Sequence, residues 1–330
     1  MIIVTGGAGF IGSNLVAGLE AHGASDIVVC DVFGSDERWK NIAKRSLRDI
    51  VAPDQLFPYL VRHRDEIQAI FHMGAISSTT ETDVDKIVQN NFILSRDLWR
   101  WCAKYNVRFI YASSAATYGD GMQGFNDNDA PEALAQLRPL NAYGWSKHAF
   151  DRRVSDLVYV SKSENAPPQW AGLKFFNVYG PNEYHKGEQA SVVSKLYPQV
   201  AAGAQAKLFK SANPKYEDGG QLRDFVFVDD CVNVMLWLYD NKQVSGLFNV
   251  GSGKARSFKD LALATFAAAN MEPKIHYNDM PENLKGKYQY FTEANISKLR
   301  EAGYTKPMTE LEDGVRHYVQ DYMSKEDQYR

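Results

Sequence analysis

A doubly wound α/β fold, a parallel sheet with helices on both faces joined to a smaller C-terminal α/β domain, is predicted by three observations. Short β-branched or aromatic runs alternate with helical stretches through the first half of the chain. The chain opens on such a run, Ile2-Ile3-Val4, which breaks at once into glycines and then into an amphipathic segment. A second run, Ile27-Val28-Val29-Cys30, follows and ends on the acid Asp31.

Ile2, Ile3 and Val4 show no polar alternation, so the first strand reads as buried on both faces. Gly7, Gly9 and Gly12 fit G-x-G-x-x-G, and Gly6 adds an overlapping G-x-x-G-x-x-G. Glycines there permit a tight turn, let backbone N–H groups approach a pyrophosphate and bring helix against strand. The start of the following helix, with Phe10 and Ile11, then faces the phosphates. From Ser13 onward Leu15, Val16 and Leu19 form its apolar stripe, and Asp31 stands at the distance of a ribose-binding carboxylate. Further strands are expected at Ala69 to His72, Phe109 to Ala112 and Gly172 to Phe176. Residues 1–176 therefore read as a dinucleotide-binding Rossmann domain. Beyond residue 177 the pattern loosens, with strands expected at Phe225 to Val228 and Leu247 to Val250 and a helix at Phe258 to Ala269. Residues 177–330 read as mainly a substrate-binding domain with some segments returning to the sheet. Residues 119–129 and 213–221, rich in Gly, Asn and Asp, read as loops.

Composition narrows the function classes. A formal charge of −3 on 330 residues offers no field for nucleic acid or anionic lipid, and no apolar run approaches the ~20 residues of a membrane span. With no basic leader before the first strand, a cytoplasmic protein is expected. Cys30, Cys102 and Cys231 are widely spaced and form no C-x-x-C pair, which disfavours a disulfide framework or a zinc site and favours reduced, buried thiols. No metal is expected.

Tyr143 and Lys147 lie four apart, on one face if their segment is helical. A tyrosine ionises near ~10, so use as a base near neutrality needs about three units of depression, roughly 4 kcal/mol, from cationic neighbours such as Lys147 and a nicotinamide. Upstream, the strand at Phe109 runs into Ser113 and Ser114 at the edge where open α/β sheets bind ligands. Ser114 could bond a substrate oxygen there; the competing reading makes it a turn cap and Tyr143 and Lys147 a surface pair. The dinucleotide fingerprint in the same chain favours chemistry.

These residues resemble the extended short-chain dehydrogenase/reductase superfamily over nearly the whole chain. The resemblance is carried by the opening glycines, Ser114 before Thr117-Tyr118-Gly119, Tyr143-x-x-x-Lys147, Phe176-Asn177-Val178-Tyr179-Gly180-Pro181 and Arg223-Asp224-Phe225-Val226-Phe227-Val228-Asp229-Asp230. It implies that the tyrosine exchanges a proton with a sugar hydroxyl while hydride passes to a nicotinamide, and that Lys147 holds the nicotinamide ribose. Dehydratases of the superfamily carry an Asp-Glu pair after the strand-end hydroxyl; here Ala115-Ala116 follows, and neither moves a proton. Elimination of water is thereby disfavoured.

A closer set of matches resembles the ADP-L-glycero-D-manno-heptose 6-epimerases. It comprises His72-Met73-Gly74-Ala75-Ile76-Ser77-Ser78-Thr79-Thr80-Glu81, Ala112 to Gly119, His185-Lys186-Gly187 and Leu284-Lys285-Gly286-Lys287-Tyr288-Gln289. This resemblance implies an NADP-dependent isomerase that inverts C6 of ADP-heptose through a 6-ketone and serves lipopolysaccharide core synthesis. It places a second proton-transfer group at Lys186 and implies a homo-oligomer, a pentamer. The cofactor expectation is NADP, with NAD the alternative: Asp31 favours free ribose hydroxyls, whereas Arg38 and Lys40 offer cations for a 2′-phosphate. Val32 stands where the family has Asn. By the same matches Asp49 borders the adenine, Met73, Gly74, Ala75, Ile76, Ser77 and Asn90 run beside pyrophosphate and ribose, and Val178 belongs to the cofactor contacts. Asn177, Glu188, Lys195, Phe209, Lys210, Ser211, Ala212, Arg223 and Tyr288 are implied around the ADP-sugar. Glu188 replaces a small hydroxyl residue of the family, and residues 213–221 look like an insertion. Two other readings compete: a UDP-hexose 4-epimerase or other nucleotide-sugar epimerase or reductase, and a non-catalytic NADP-binding module, against which the set Ser114, Tyr143, Lys147 and Lys186 speaks.

Overall fold

A computed structural model describes residues 1–162, 165–281 and 289–330. In the first part of the chain the strands are β1 (Ile2–Thr5), β2 (Ile27–Cys30), β3 (Asp49–Val51), β4 (Ala69–His72), β5 (Arg108–Ser114) and β6 (Trp170–Phe175). Later come β7 (Asn177–Tyr179), β8 (Ala206–Phe209), β9 (Leu222–Phe227), β10 (Gly246–Val250), β11 (Ala255–Ser257) and β12 (Ile275–Asn278). Seven of them form one sheet in the order β10-β6-β5-β4-β1-β2-β3, every pairing parallel. A sheet of that kind buries both faces. One face packs Trp99, Phe109, Tyr111 and Phe150 against each other, and the other packs Val4, Leu15, Leu19, Val232, Met235 and Phe248. Helices cover both: Leu94–Tyr105 and Ala142–Asp156 on the first, Phe10–Ala21 and Val228–Asp240 on the second. The last two approach so closely that a Cβ on Gly18 would stand 2.4 Å from Cγ1 of Val232.

The run at Leu247 is the outermost strand of the main sheet, in register with β6 through Leu247 opposite Gly172. The run at Phe225 ends one residue early, because Val228 opens the helix to Asp240. Strand β3 has no expectation in its favour: two of its three residues are exposed, so it leaves no apolar run to read. The rest of the chain builds a three-stranded sheet, β11-β9-β7, and a two-stranded one, β12-β8. Helix Phe258–Ala268 packs there, its start held by a reciprocal Ser257 and Asp260 capping box.

All three cysteines are buried free thiols, and burial pushes each one up, Cys30 to about 12. Among the described residues no helix is long and apolar enough to cross a membrane, and no group of three or more His, Cys, Asp or Glu could hold a metal.

Candidate active site

Strand β1 lies between β2 and β4, so the loops that leave β1 and β4 part in opposite directions and open a crevice at the carboxyl edge of the sheet. A cleft of about 710 Å³ occupies that place. Its floor is the glycine loop. Gly6 holds φ +65°, and a Cβ there would meet the backbone of Gly74 at 2.5 Å. A Cβ on Gly12 would stand 2.0 Å from the Gly6 carbonyl oxygen, which no side-chain adjustment relieves because both atoms are backbone. Gly12→Ala is therefore expected to displace the loop and weaken dinucleotide affinity by about tenfold or more, since about 1.4 kcal/mol of distortion suffices for that factor. Titration with NADPH or NADH by fluorescence checks it, and wild-type affinity would count against the cradle.

Asp31, at the end of β2, lines the cleft and accepts N–H groups from Ala8 at 2.8 Å and Val32 at 2.7 Å. Burial pushes its carboxyl up, and those backbone donors together with Arg38 pull it back. Arg38 lines the cleft, but its guanidinium is engaged by Asp36 at 2.7 Å and the Val32 carbonyl at 3.0 Å, and stands 3.9 Å from Asp31. Lys40 does not line the cleft; it pairs with Glu37 at 2.5 Å on the same short helix. Asp49 lines a separate hollow of about 370 Å³ with Phe33, Trp39 and Ile50.

After β4, Met73, Gly74, Ala75 and Ser77 line the cleft. Asn90 does not, because its amide turns back to the Lys86 carbonyl at 2.8 Å. The neighbouring Asn91, buried, does the positioning: it accepts the Ile76 N–H at 2.8 Å and donates to the Ile76 carbonyl and to Ser146 Oγ. Two consecutive asparagines differ here by which side of a helix each occupies. His72, fully buried between Thr5 and Ser95, is held down to about 3 by burial and by the charge of Lys147, so it stays neutral.

Ser114, Tyr143 and Lys147 come together in this cleft. Ser114 ends β5 and caps the following short helix, accepting the Ala116 N–H at 3.1 Å, while its side chain also hydrogen-bonds Tyr143. Tyr143 and Lys147 sit one turn apart near the start of helix Ala142–Asp156, which Asn141 caps through the Gly144 N–H. Burial draws Lys147 down to about 8, against the pull of Asp151. Burial raises Tyr143, and the Ser114 hydrogen bond only moderates that rise. The expected depression is thus not supplied by the chain alone, because desolvation outweighs the local donors.

Beneath these groups lies a buried network that the sequence reading missed. Asp151, one turn beyond Lys147, accepts from Tyr111 at 3.0 Å, Ser113 at 2.6 Å and Lys174 at 2.6 Å, and Lys174 also donates to Thr117 at 2.8 Å. Both charged side chains have 0% exposure. The network joins β5, β6 and the Tyr143 helix, which holds Ser114 and Tyr143 in register. Five polar residues spread over 64 positions give no local pattern to read.

Lys186 lines the same cleft from the short helix Tyr184–Gln189, its amine 5.0 Å above the Phe10 ring. Burial lowers it, the Glu183 carboxylate opposes that, and Lys195 assists it. His185, Glu188 and Gln189 of this segment and Val178 of β7 line the cleft too. The Glu188 carbonyl takes the Lys195 amine, and its carboxylate lies 3.4 Å away. The remaining residues implied around a substrate lie off the lining of this cleft. Asn177 is exposed at the start of β7, Phe209 ends β8, and Lys210 pairs with Asp279 at 2.9 Å. The Ser211 N–H goes to Asp218, the Ala212 N–H to Tyr290, and Arg223 packs over the Phe258 ring at 5.7 Å. Tyr288 falls outside the described residues.

A serine at a strand end, a tyrosine and lysine one helical turn apart and a glycine loop at the switch point of a parallel sheet define the class: an enzyme built like the short-chain dehydrogenase/reductases, made for a nicotinamide dinucleotide. The chain belongs to the NAD dependent epimerase/dehydratase family, whose sequence profile matches residues 2–251. It is 51% identical to the ADP-L-glycero-D-manno-heptose-6-epimerase of Fusobacterium nucleatum over the full length of both chains, and 51% identical to that of Nitratidesulfovibrio vulgaris, again over all of both. Among solved structures, the Helicobacter pylori ADP-L-glycero-D-manno-heptose-6-epimerase aligns with a TM-score of 0.77 at 29% identity, covering 98% of this chain and 96% of that one. The Thermus thermophilus UDP-glucose 4-epimerase in complex with NAD aligns with a TM-score of 0.75 at 25% identity, covering 97% of each.

Proposed function

We propose that the chain interconverts ADP-D-glycero-β-D-manno-heptose and ADP-L-glycero-β-D-manno-heptose by oxidation and re-reduction at C6, in the cytoplasm, as a supplier of heptose for the lipopolysaccharide core. The observation that carries this reading is that two separate proton-handling groups, Tyr143 and Lys186, line the one cleft that also contains the glycine loop. Full-length relatives bearing the heptose epimerase name support the sugar.

The bound dinucleotide supplies the acceptor and donor of hydride, leaving no net redox change. The chain's residues handle the proton. Ser114 hydrogen-bonds the oxygen at C6 beside Tyr143, and one of Tyr143 and Lys186 takes the hydroxyl proton as the ketone forms. After the ketone presents its other face, the second group returns a proton to the oxygen. Lys147, drawn to about 8, is mostly cationic at neutral pH and lies one turn from the phenol, where with a nicotinamide charge it favours phenolate. Lys186, lowered by burial, gives up its proton more readily than a solvated lysine. Residues 177–330 would provide most of the ADP-sugar contacts, with Arg223 clamping the diphosphate, and the chain would assemble as a homo-oligomer.

For the cofactor we propose NADP, with Arg38 taking the 2′-phosphate. The phosphate must then replace Asp36 as the partner of that guanidinium, beside Asp31, and this competition is the argument for NAD. Incubation of the purified holoenzyme with ADP-D-glycero-D-manno-heptose is expected to give a mixture of C6 epimers by NMR without net consumption of NADPH, and acid extraction is expected to release NADP. Turnover of UDP-glucose with none of ADP-heptose would overturn the substrate, and recovery of NAD alone would overturn the cofactor.

A further inference from the structure

Lys186 sits on a segment of six residues that no strand secures, yet its amine is held over Phe10 deep in the cleft. The buried Glu183 carboxylate ties its two ends by accepting the Ser191 N–H and hydroxyl at 2.6 Å and the Gly180 N–H at 3.3 Å, and a second restraint comes from the other end of the sequence. Residues 327–330 fold back across two short helices, Glu37–Ile42 and Tyr184–Gln189, both of which send side chains into the cleft. Tyr329 packs edge-on against Tyr184 with ring centroids 5.4 Å apart, while the Tyr184 hydroxyl donates to the Gln328 carbonyl at 2.9 Å. On the other side, Lys44 pairs with Asp327 at 2.6 Å, and the Lys40 amine lies 5.9 Å from the Tyr329 ring. Arg330 completes the span: its N–H donates to Asn182 Oδ1 at 3.0 Å, and its guanidinium donates to Asn14 Oδ1 at 3.0 Å and to Asp229.

Asn182 is itself fully buried and left-handed, with φ 72°, a conformation that asparagine adopts more readily than most side chains. Its amide donates to Ser13 at 3.0 Å, so the Arg330 N–H, Asn182 and the helix behind the glycine loop form one chain of bonds. Asn41 closes the circuit, donating to the Ala8 carbonyl at 2.8 Å with its amide 3.2 Å from His185 Nδ1.

We infer that residues 327–330 are positioning residues for Lys186: Tyr329 and Arg330 brace the Pro181 to Gln189 segment against the first glycine-loop helix and so keep the Lys186 amine inside the cleft. The inference rests on the reading of Lys186 as a proton-handling group only for its consequence on turnover; the placement itself is independent of the substrate. Lys40 thereby acquires a role apart from the 2′-phosphate, as an anchor of the strap together with Lys44.

The test compares Tyr329→Ala, Arg330→Ala and Tyr329→Phe in the full-length holoenzyme. Trace acetylation with acetic anhydride, read by mass spectrometry as the ratio of Lys186 to Lys298 modification, reports exposure of the amine without any substrate. Lys298 pairs with Asp129 outside the cleft lining and serves as the internal reference. In both alanine variants the ratio is expected to rise about fivefold or more as the segment opens locally, with faster deuterium uptake across residues 182–189. The kcat for epimerisation is expected to fall about tenfold or more with a smaller change in KM, since a misplaced group costs rate more than binding. Tyr329→Phe keeps the ring contact and is expected to restore the wild-type ratio. An unchanged labelling ratio in Tyr329→Ala, or a rise equal at Lys186 and Lys298, overturns the inference. If the wild-type protein leaves ADP-heptose untouched while the ratio still rises, the substrate reading fails and the strap stands.

Discussion

Tyr143→Phe is expected to lower epimerisation by a factor of about 10²–10⁴, the usual worth of a positioned proton-transfer group. The ring volume and the helix survive this change, so the loss isolates the hydroxyl that meets Ser114. Lys186→Met is expected to lose a similar factor, because among the described residues the cleft lining holds no other amine than Lys147, which stands beside Tyr143 on its helix. Cofactor content should remain near one per chain in both variants, since the glycine loop and Asp31 are untouched. Stopped-flow absorbance of the reduced dinucleotide together with NMR of the epimers checks both. A wild-type rate in either variant removes that side chain from the proposed chemistry. The double variant should be little worse than the worse single one, because two groups that serve successive halves of one exchange do not add.

The second large effect concerns folding. Lys174→Met leaves the Asp151 carboxylate at 0% exposure with the hydroxyls of Tyr111 and Ser113 as its hydrogen-bond donors among the described residues. Removing one member of a buried pair costs about 3–5 kcal/mol, a large share of the 5–15 kcal/mol that holds a typical domain. Urea unfolding of the single variant should show that loss. Combining Lys174→Met with Asp151→Leu should recover part of it, because the Asp151 charge is then gone, while Lys147 loses the carboxylate that opposes its desolvation and the Tyr111 and Ser113 hydroxyls lose their acceptor. A single variant as stable as the wild type would mean that water reaches Asp151.

Much of this was legible in the primary structure. β2 and β4 fall where their apolar runs lie, since strands buried on both faces write themselves as continuous apolar segments. Ser114, Tyr143 and Lys147 were readable because a strand end and a helical turn of four are local features, and they meet in the cleft with the glycine loop. What stayed hidden is non-local. Nothing in the segment around Asn91 distinguishes it from Asn90 until the loop at Ile76 is in place. Lys40 looked like a phosphate ligand by its charge alone, but Glu37 three residues earlier competes for it on a helical turn. The Asp151 and Lys174 pair needs two strands and a helix to be assembled before its members face each other. The rise at Tyr143 is similarly invisible, because burial is a property of the packed chain and not of the residue.

The position of β10 bears on how the protein is made. The strand beside β6 arrives only with residues 246–250, and with it Phe248 and Val250, which share a core with Ala171 and Leu173. A nascent chain that has emerged from the ribosome only as far as residue 176 therefore carries an unpaired parallel edge and a greasy face still waiting for helix Val228–Asp240. Synthesis of the later part does more than append a lobe: it supplies the strand and the helix that close the earlier part's sheet and core.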